Sequence, residues 1–144
     1  MDEAFIKKVQ PNSPEAEQSV IGAMIMDRDA IADVIDIVNA DDFYQKQNGI
    51  LFEAMTELYR EGKPVDLVTL QNRLREKDVP PEVSSLDFVR DIMTSVPTSV
   101  NVKSYANIVR EKAVLRRLIK VNEEIENLCY GGRDKLEDIL AHTE

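Results

Sequence analysis

The sequence predicts an all-α protein: a compact multi-helix globule over residues 1–100, then a protruding antiparallel helical hairpin over residues 101–144. Three observations carry this prediction. Apolar residues recur at i, i+3, i+4 and i+7 in segment after segment, the spacing of amphipathic helices. Helix-start residues precede these segments and Gly or Pro follows them. From Asn101 to about Leu128 there is then neither Gly nor Pro, a run too long for a helix packed inside a small globule.

The first helix starts in "PNSPEAEQSV". Ser13 can cap it, Pro14 suits the first helical position, and Glu15 and Glu17 complement the positive helix end. Ala16, Val20, Ala23 and Met24 form its stripe. In "DRDAIADVIDIV", Asp27 or Asp29 caps a second helix carrying Ile31, Val34, Ile35 and Val38. Phe43 and Tyr44 are expected to anchor the following loop into the core. Leu51, Ala54, Met55 and Leu58 mark a third helix that begins near Asn48-Gly49 and stops at Gly62, with Pro64 beyond. Asp66 caps a fourth with Leu67, Leu70 and Leu74; the β-branched residues from Val65 to Thr69 make a short strand the rival reading. Pro80-Pro81 breaks the chain, and Ser84 or Ser85 caps a fifth helix through Leu86, Val89 and Met93.

The long run then places apolar residues at Val102, Tyr105, Ile108 or Val109, Leu115, Leu118 or Ile119, Ile125 and Leu128. As one helix it is roughly 42 Å long, against a radius of gyration near 13 Å for a domain of about 100 residues. Part of it must project. Tyr130 to Arg133 reads as a tight reversal, and Asp134 as the cap of a last helix with Leu136, Ile139 and Leu140. A short loop makes these two helices antiparallel neighbours. Apolar residues on a projecting helix mark an interface unless the hairpin covers them itself, which makes Leu115, Leu118 and Leu128 candidates for self-association. The pattern is still running at Glu144, so the chain reads as a piece of something longer.

Composition narrows the function. The chain has 144 residues, 43% apolar and 31% charged, with a net charge of −9. An acidic domain does not bind nucleic acid through its whole surface, since phosphate contacts supply most of that affinity. One local exception is a strip holding Lys103, Arg110, Lys112, Arg116, Arg117 and Lys120 against the single acid Glu111. No run is long and apolar enough to span a membrane, and the first ten residues lack the core of a signal peptide. With one cysteine, Cys129, no internal disulfide is available, and a cytoplasmic protein is expected. There is no phosphate loop and no GxGxxG. His142 has no partner at zinc-ligand spacing, and Cys129 has neither His nor Asn nearby. Carboxylate pairs such as Asp41-Asp42 and Glu123-Glu124 are what 27 acids in 144 residues produce. No catalytic, cofactor-binding or metal-binding residue is assigned, and the residues describe a helical interaction module.

Three stretches together carry a resemblance. "SPEAEQSVIGAMI", then "DDFY" followed by "EGKPVDLVTL", then "VPTSVNVKSYANIVREKAVLRRLI", in this order and spacing, resemble the N-terminal domain of the bacterial replicative DNA helicase, the DnaB family. The likeness runs from about Pro11 to Ile119. It departs at Asn48, where the family pattern has His. The resemblance implies a helical globule and hairpin that precede a linker and a RecA-like domain, which hydrolyses ATP with magnesium and moves on single-stranded DNA. It also implies that hairpins pair, that three pairs build a collar on a hexamer, and that the collar docks the C-terminal domain of primase and, in some bacteria, a helicase loader. On that basis Ile119, Ile125 and Glu15 are primase-binding candidates, the missing phosphate loop is expected, and this stretch is not itself an enzyme. The alternatives are a free-standing helical adaptor and a nucleic-acid-binding domain using the Lys103–Lys120 strip.

Overall fold

The computed structural model describes residues 9–84, 87, 90–91 and 101–143. The described elements are helical, with no strand among the described residues. In order they are α1 (Pro14–Met26), α2 (Arg28–Ile35), a 3-10 turn (Ala40–Asp42), α3 (Lys46–Arg60), α4 (Leu67–Glu76), α5 (Pro81–Ser84), α6 (Val102–Gly131) and α7 (Leu136–His142). The chain divides into two compact units. One comprises the described residues of 12–112, and the other the described residues up to Pro11 together with those from Ala113 onward. The first turns of α6 thus go with the globule, whereas the sequence reading assigned all of 101–144 to the hairpin.

In the larger unit α3 is central, packing against α1, α2, the 3-10 turn, α4 and α5. Its Leu51, Phe52, Ala54 and Met55 join Val20, Ile21 and Met24 of α1, Ile31 and Val34 of α2, and Leu70 and Leu74 of α4 in one core. Ala106 and Val109 of α6 complete it. Phe43 and Phe52 meet in this core with ring centroids 5.3 Å apart.

Local chemistry explains most of the boundaries. Ser13 caps α1 by accepting the amide of Ala16 at 3.2 Å, with Pro14 at the first helical position. Of the two candidates for α2, Asp27 is the cap, accepting from the Asp29 amide at 2.9 Å. Asp66 and Thr69 exchange hydrogen bonds at 2.9 Å each way, so the β-branched stretch there opens a helix and not a strand. After α3, Gly62 takes a left-handed conformation (φ 74°). Its amide donates to the Tyr59 carbonyl at 3.1 Å and that of Lys63 to Leu58 at 3.0 Å, closing a Schellman motif. The same geometry ends α4 with Asp78 in the glycine position (φ 55°).

Several expectations are corrected. α1 is buried nearly all round, including Glu17, Ile21 and Ile25, and not along one stripe. Phe43 is buried but Tyr44 is 42% exposed, because the chain turns outward into α3. α3 begins at Lys46, so Asn48 and Gly49 lie inside it. A Cβ on Gly49 would stand 2.8 Å from the Ala40 carbonyl oxygen, so this glycine is set by the close approach of the 3-10 turn. Pro81 is the first residue of α5, which runs to Ser84. Ser85, Leu86, Val89 and Met93 lie outside the described residues. α6 continues through Gly131, and the reversal starts at Gly132 (φ 62°). Lys135 holds the cap position of α7, so Asp134 does not cap it.

Two polar arrangements hold α3 in place. Glu17, 2% exposed, reaches from α1 to the N-terminus of α3. Its carboxylate accepts the amides of Tyr44 (2.7 Å) and Gln45 (3.2 Å) and the Asn48 side-chain amide (3.0 Å). Between α3 and α4, Arg73 donates to both oxygens of Glu61 (2.9 and 2.7 Å) and to Glu57 (3.1 Å). Lys77 bridges Glu53 and Glu57 at 2.9 and 2.7 Å. The hydrogen bonds from Arg73, with Lys63 adding to them, hold the Glu61 carboxyl down to about 2 from an ordinary 4.5. Burial pushes Glu57 up, but hydrogen bonds from Lys77 and Arg73 outweigh it and leave that carboxyl below the usual range.

Replacing Glu17 with Ala strands three donors at a buried site, and each stranded group costs about 1–3 kcal/mol. Glu17→Ala is therefore expected to lower stability by about 3 kcal/mol or more in urea denaturation; a loss under about 1 kcal/mol would show that the carboxylate is dispensable. The Arg73 cluster makes a pH prediction. A carboxyl whose folded value lies below its unfolded value adds stability above the unfolded value and loses it as pH falls through the folded one. For Glu61 this window runs from about 4.5 down to about 2. Thermal melting temperatures of the wild-type chain should fall more steeply through that window than those of Arg73→Met, and parallel slopes would contradict the assignment.

Candidate functional site

The second unit presents the candidate site, a helical hairpin. α7 folds back on α6, and His142 Nε2 lies 3.1 Å from a Glu124 carboxylate oxygen eighteen residues earlier. Ile139 is the buried anchor of α7. At the other end of this unit, Arg116 donates to the Pro11 carbonyl at 2.7 Å, tying the segment before the globule to the helix. Beyond these contacts the hairpin leaves large apolar side chains open: Leu118 is 59% exposed, Leu115 44% and Ile119 37%, with Leu136 and Leu140 also exposed on α7. Ile125 and Leu128 are half-buried.

Helix geometry sorts these residues into two faces. At 100° per residue, Ile125 lies about 20° from Leu118, and Val121 and Leu128 continue the same seam at alternating steps of three and four. Leu115 lies about 60° from Leu118, as close as Val121 does, whereas Ile119 is about 100° from Leu118 and about 120° from Ile125. Helix geometry therefore keeps Leu115 at the edge of the seam with Leu118, Ile125 and Leu128, and sets Ile119 apart from Ile125.

The remaining predicted residues fall as follows. Glu15 is exposed in the first turn of α1, on the larger unit. Its neighbour Glu17 is buried inside the globule. In the basic strip, Arg116 binds Pro11 and Lys103 lies 3.9 Å from Asp33. Cys129 is an exposed free thiol. Sequence reasoning missed the cross-globule role of Glu17, because its partners lie 27 to 31 residues away. It also missed the close approach that fixes Gly49.

Comparison with known proteins follows the same outline. A family model described as the DnaB-like helicase N terminal domain matches residues 9–111. The replicative DNA helicase DnaC of Bacillus subtilis is 37% identical over 144 residues, which is 100% of this chain and 32% of that protein. The replicative DNA helicase DnaB of Pasteurella multocida is 37% identical over 137 residues, 94% of this chain and 29% of that protein. The chain thus spans about a third of the length of the curated relatives it matches. Among solved structures, the N-terminal domain of DnaB helicase from Mycobacterium tuberculosis superposes with a TM-score of 0.86 at 32% identity, covering 92% of this chain and 94% of that one. The N-terminal domain of DnaB helicase from Helicobacter pylori, described with its interactions with primase, gives 0.71 at 21% identity over 90% and 99%, a likeness of fold alone. The chain belongs to the family of DnaB-like helicase N-terminal domains.

Proposed function

We propose that this domain assembles and docks partners for a replicative DNA helicase, using the α6–α7 hairpin for self-association and for binding the C-terminal domain of primase. The observation that carries the reading is the pair of apolar faces left open on α6. Leu118 with Val121, Ile125 and Leu128 forms a seam suited to a second hairpin. Leu115 borders that seam, and Ile119 lies about 100° from Leu118, free to meet primase while the seam is occupied. The Helicobacter pylori domain of like fold is described with its interactions with primase, which supports primase as a partner. Glu15 would add a polar contact from the globule.

In the whole protein, three hairpin pairs would form a collar on a hexamer, which in some bacteria also receives a loader. ATP hydrolysis with magnesium and movement on single-stranded DNA would belong to a following domain, and the site of action would be the cytoplasm. No described helix is long and apolar enough to cross a membrane. The net charge of −9 and the internal partners of Lys103 and Arg116 argue against the basic strip as a DNA surface and in favour of protein partners. A free-standing adaptor would show no phosphate loop in the coding sequence downstream of Glu144.

Leu118→Glu should lower the oligomer mass in sedimentation while circular dichroism stays helical. A wild-type chain and a longer version that are both monomeric at high concentration would refute the seam. For primase, Ile119→Ala in the hexamer should weaken binding of the primase C-terminal domain by roughly thirtyfold, the effect of losing about 2 kcal/mol at an interface anchor. Ile125→Ala should weaken it less, since that side chain is half-covered within the hairpin. A loss of under twofold for Ile119→Ala with the hexamer intact would remove this residue from the primase site.

A further inference from the structure

The segment that precedes the globule belongs to the same compact unit as the hairpin. Its described residues, Val9, Gln10 and Pro11, lie in neither helix nor strand. Half-buried Arg116 of α6 donates to the Pro11 carbonyl at 2.7 Å, a charge-assisted bond spanning 105 residues of sequence. The three residues thus form a strap held against one side of α6.

Helix geometry sets that side beside Ile119 and away from the seam. Arg116 precedes Ile119 by three residues, which is about 60° of turn and about 4.5 Å of rise. It is about 160° from Leu118, so a second hairpin on the seam leaves the strap in place. A partner helix over Ile119 has its axis about 8–10 Å from that of α6. A strap packed at a like distance and about 60° round completes an equilateral triangle, so it stands about 8–10 Å from the partner. That separation is contact and not collision: the strap flanks the partner and does not displace it. Two observations agree. Ile119 is less exposed than Leu115 or Leu118, as a neighbour on one flank makes it, and the apolar side chain of Val9 stands in solvent.

We infer that residues 9–11 form a second wall of the Ile119 site, with Val9 meeting aliphatic side chains of the partner. Arg116 is then a positioning residue that holds the strap. The inference rests on the reading of Ile119 as a contact for the C-terminal domain of primase.

The test measures binding of that primase domain to the hexamer, with Ile119→Ala as the reference. Deletion of residues 1–10 and Arg116→Met should each weaken binding about fivefold, a loss between that of a central anchor and that of a near-neutral contact. The two changes combined should lose no more than either alone, because both take Val9 and Gln10 from the site. Val9→Asp should weaken binding to a similar extent with the melting temperature unchanged. In the free 144-residue chain, the deletion should also shift the Ile119 methyl resonance in nuclear magnetic resonance spectra. Additive losses would overturn the inference, since Arg116 would then touch the partner itself. So would an unmoved Ile119 resonance. A loss confined to Ile119→Ala, with hexamer mass and melting temperature kept in the other variants, would overturn the strap alone. Normal binding by Ile119→Ala would instead overturn the primase reading beneath it.

Discussion

The fold depends on one carboxylate in the wrong place for a surface helix. Glu17 stands in the first turn of α1, where an acidic residue would ordinarily face water and complement its own helix end. Here it is buried and serves another helix. α3 starts without a side-chain cap and without an acidic residue in its first turn. Glu17 supplies both functions from a distance, taking the amides of Tyr44 and Gln45 and the Asn48 side chain. A buried carboxylate is tolerable only with such partners, and here each of its oxygens has one. Asn48 fits this scheme, since its side-chain amide supplies a donor that does not titrate.

The far end of α3 is held with the opposite charge. Arg28, opening α2, donates to the Lys63 carbonyl at 2.6 Å and the Tyr59 carbonyl at 3.4 Å, and its guanidinium lies 4.8 Å over the Tyr59 ring. A cation at a helix C-terminus and an anion at its N-terminus act on the dipole in the same sense. Because α1 provides one and α2 the other, the orientation of both helices is tied to a single axis. Gly49 then lets the 3-10 turn close against the same helix, where any larger residue would collide with backbone. The core of isoleucine, leucine and methionine supplies most of the driving force; these contacts select one arrangement of it.

What could be read from the sequence follows from range. The caps at Ser13, Asp27 and Asp66 and the stop at Gly62 act over two to five residues, and the sequence shows them directly. The all-α class follows from the periodicity. Tyr44 was misplaced because loop aromatics next to each other point apart, and only Phe43 can reach Phe52. Asn48-Gly49 has the composition of a turn, but here the tertiary approach of Ala40 determines the glycine. Gly131 stays helical because a glycine in a last turn is tolerated, and the left-handed step falls on the next one. In the candidate site the residues were visible, and the angle of about 120° between Ile119 and Ile125 follows from the predicted helix; the cover that α7 gives was not visible.

That continuous helix also explains how one element serves both a core and an exposed face. Along α6 apolar residues recur without interruption, yet their fate changes along its length. Ala106 and Val109 are closed into the globule's core, where an alanine lets neighbouring helices approach closely. Further on, the side chains grow larger and the cover thinner. α7 is seven residues, about 10 Å long, and its contact at Glu124 marks how far back it reaches. Leu118 lies roughly two turns beyond that point and Leu115 further still, and both remain open to solvent. Where cover exists the periodicity builds a core, and where it runs out the same periodicity leaves large apolar side chains in solvent. Such a surface is costly to leave in water, so the open stretch of α6 is itself the physical argument for a partner.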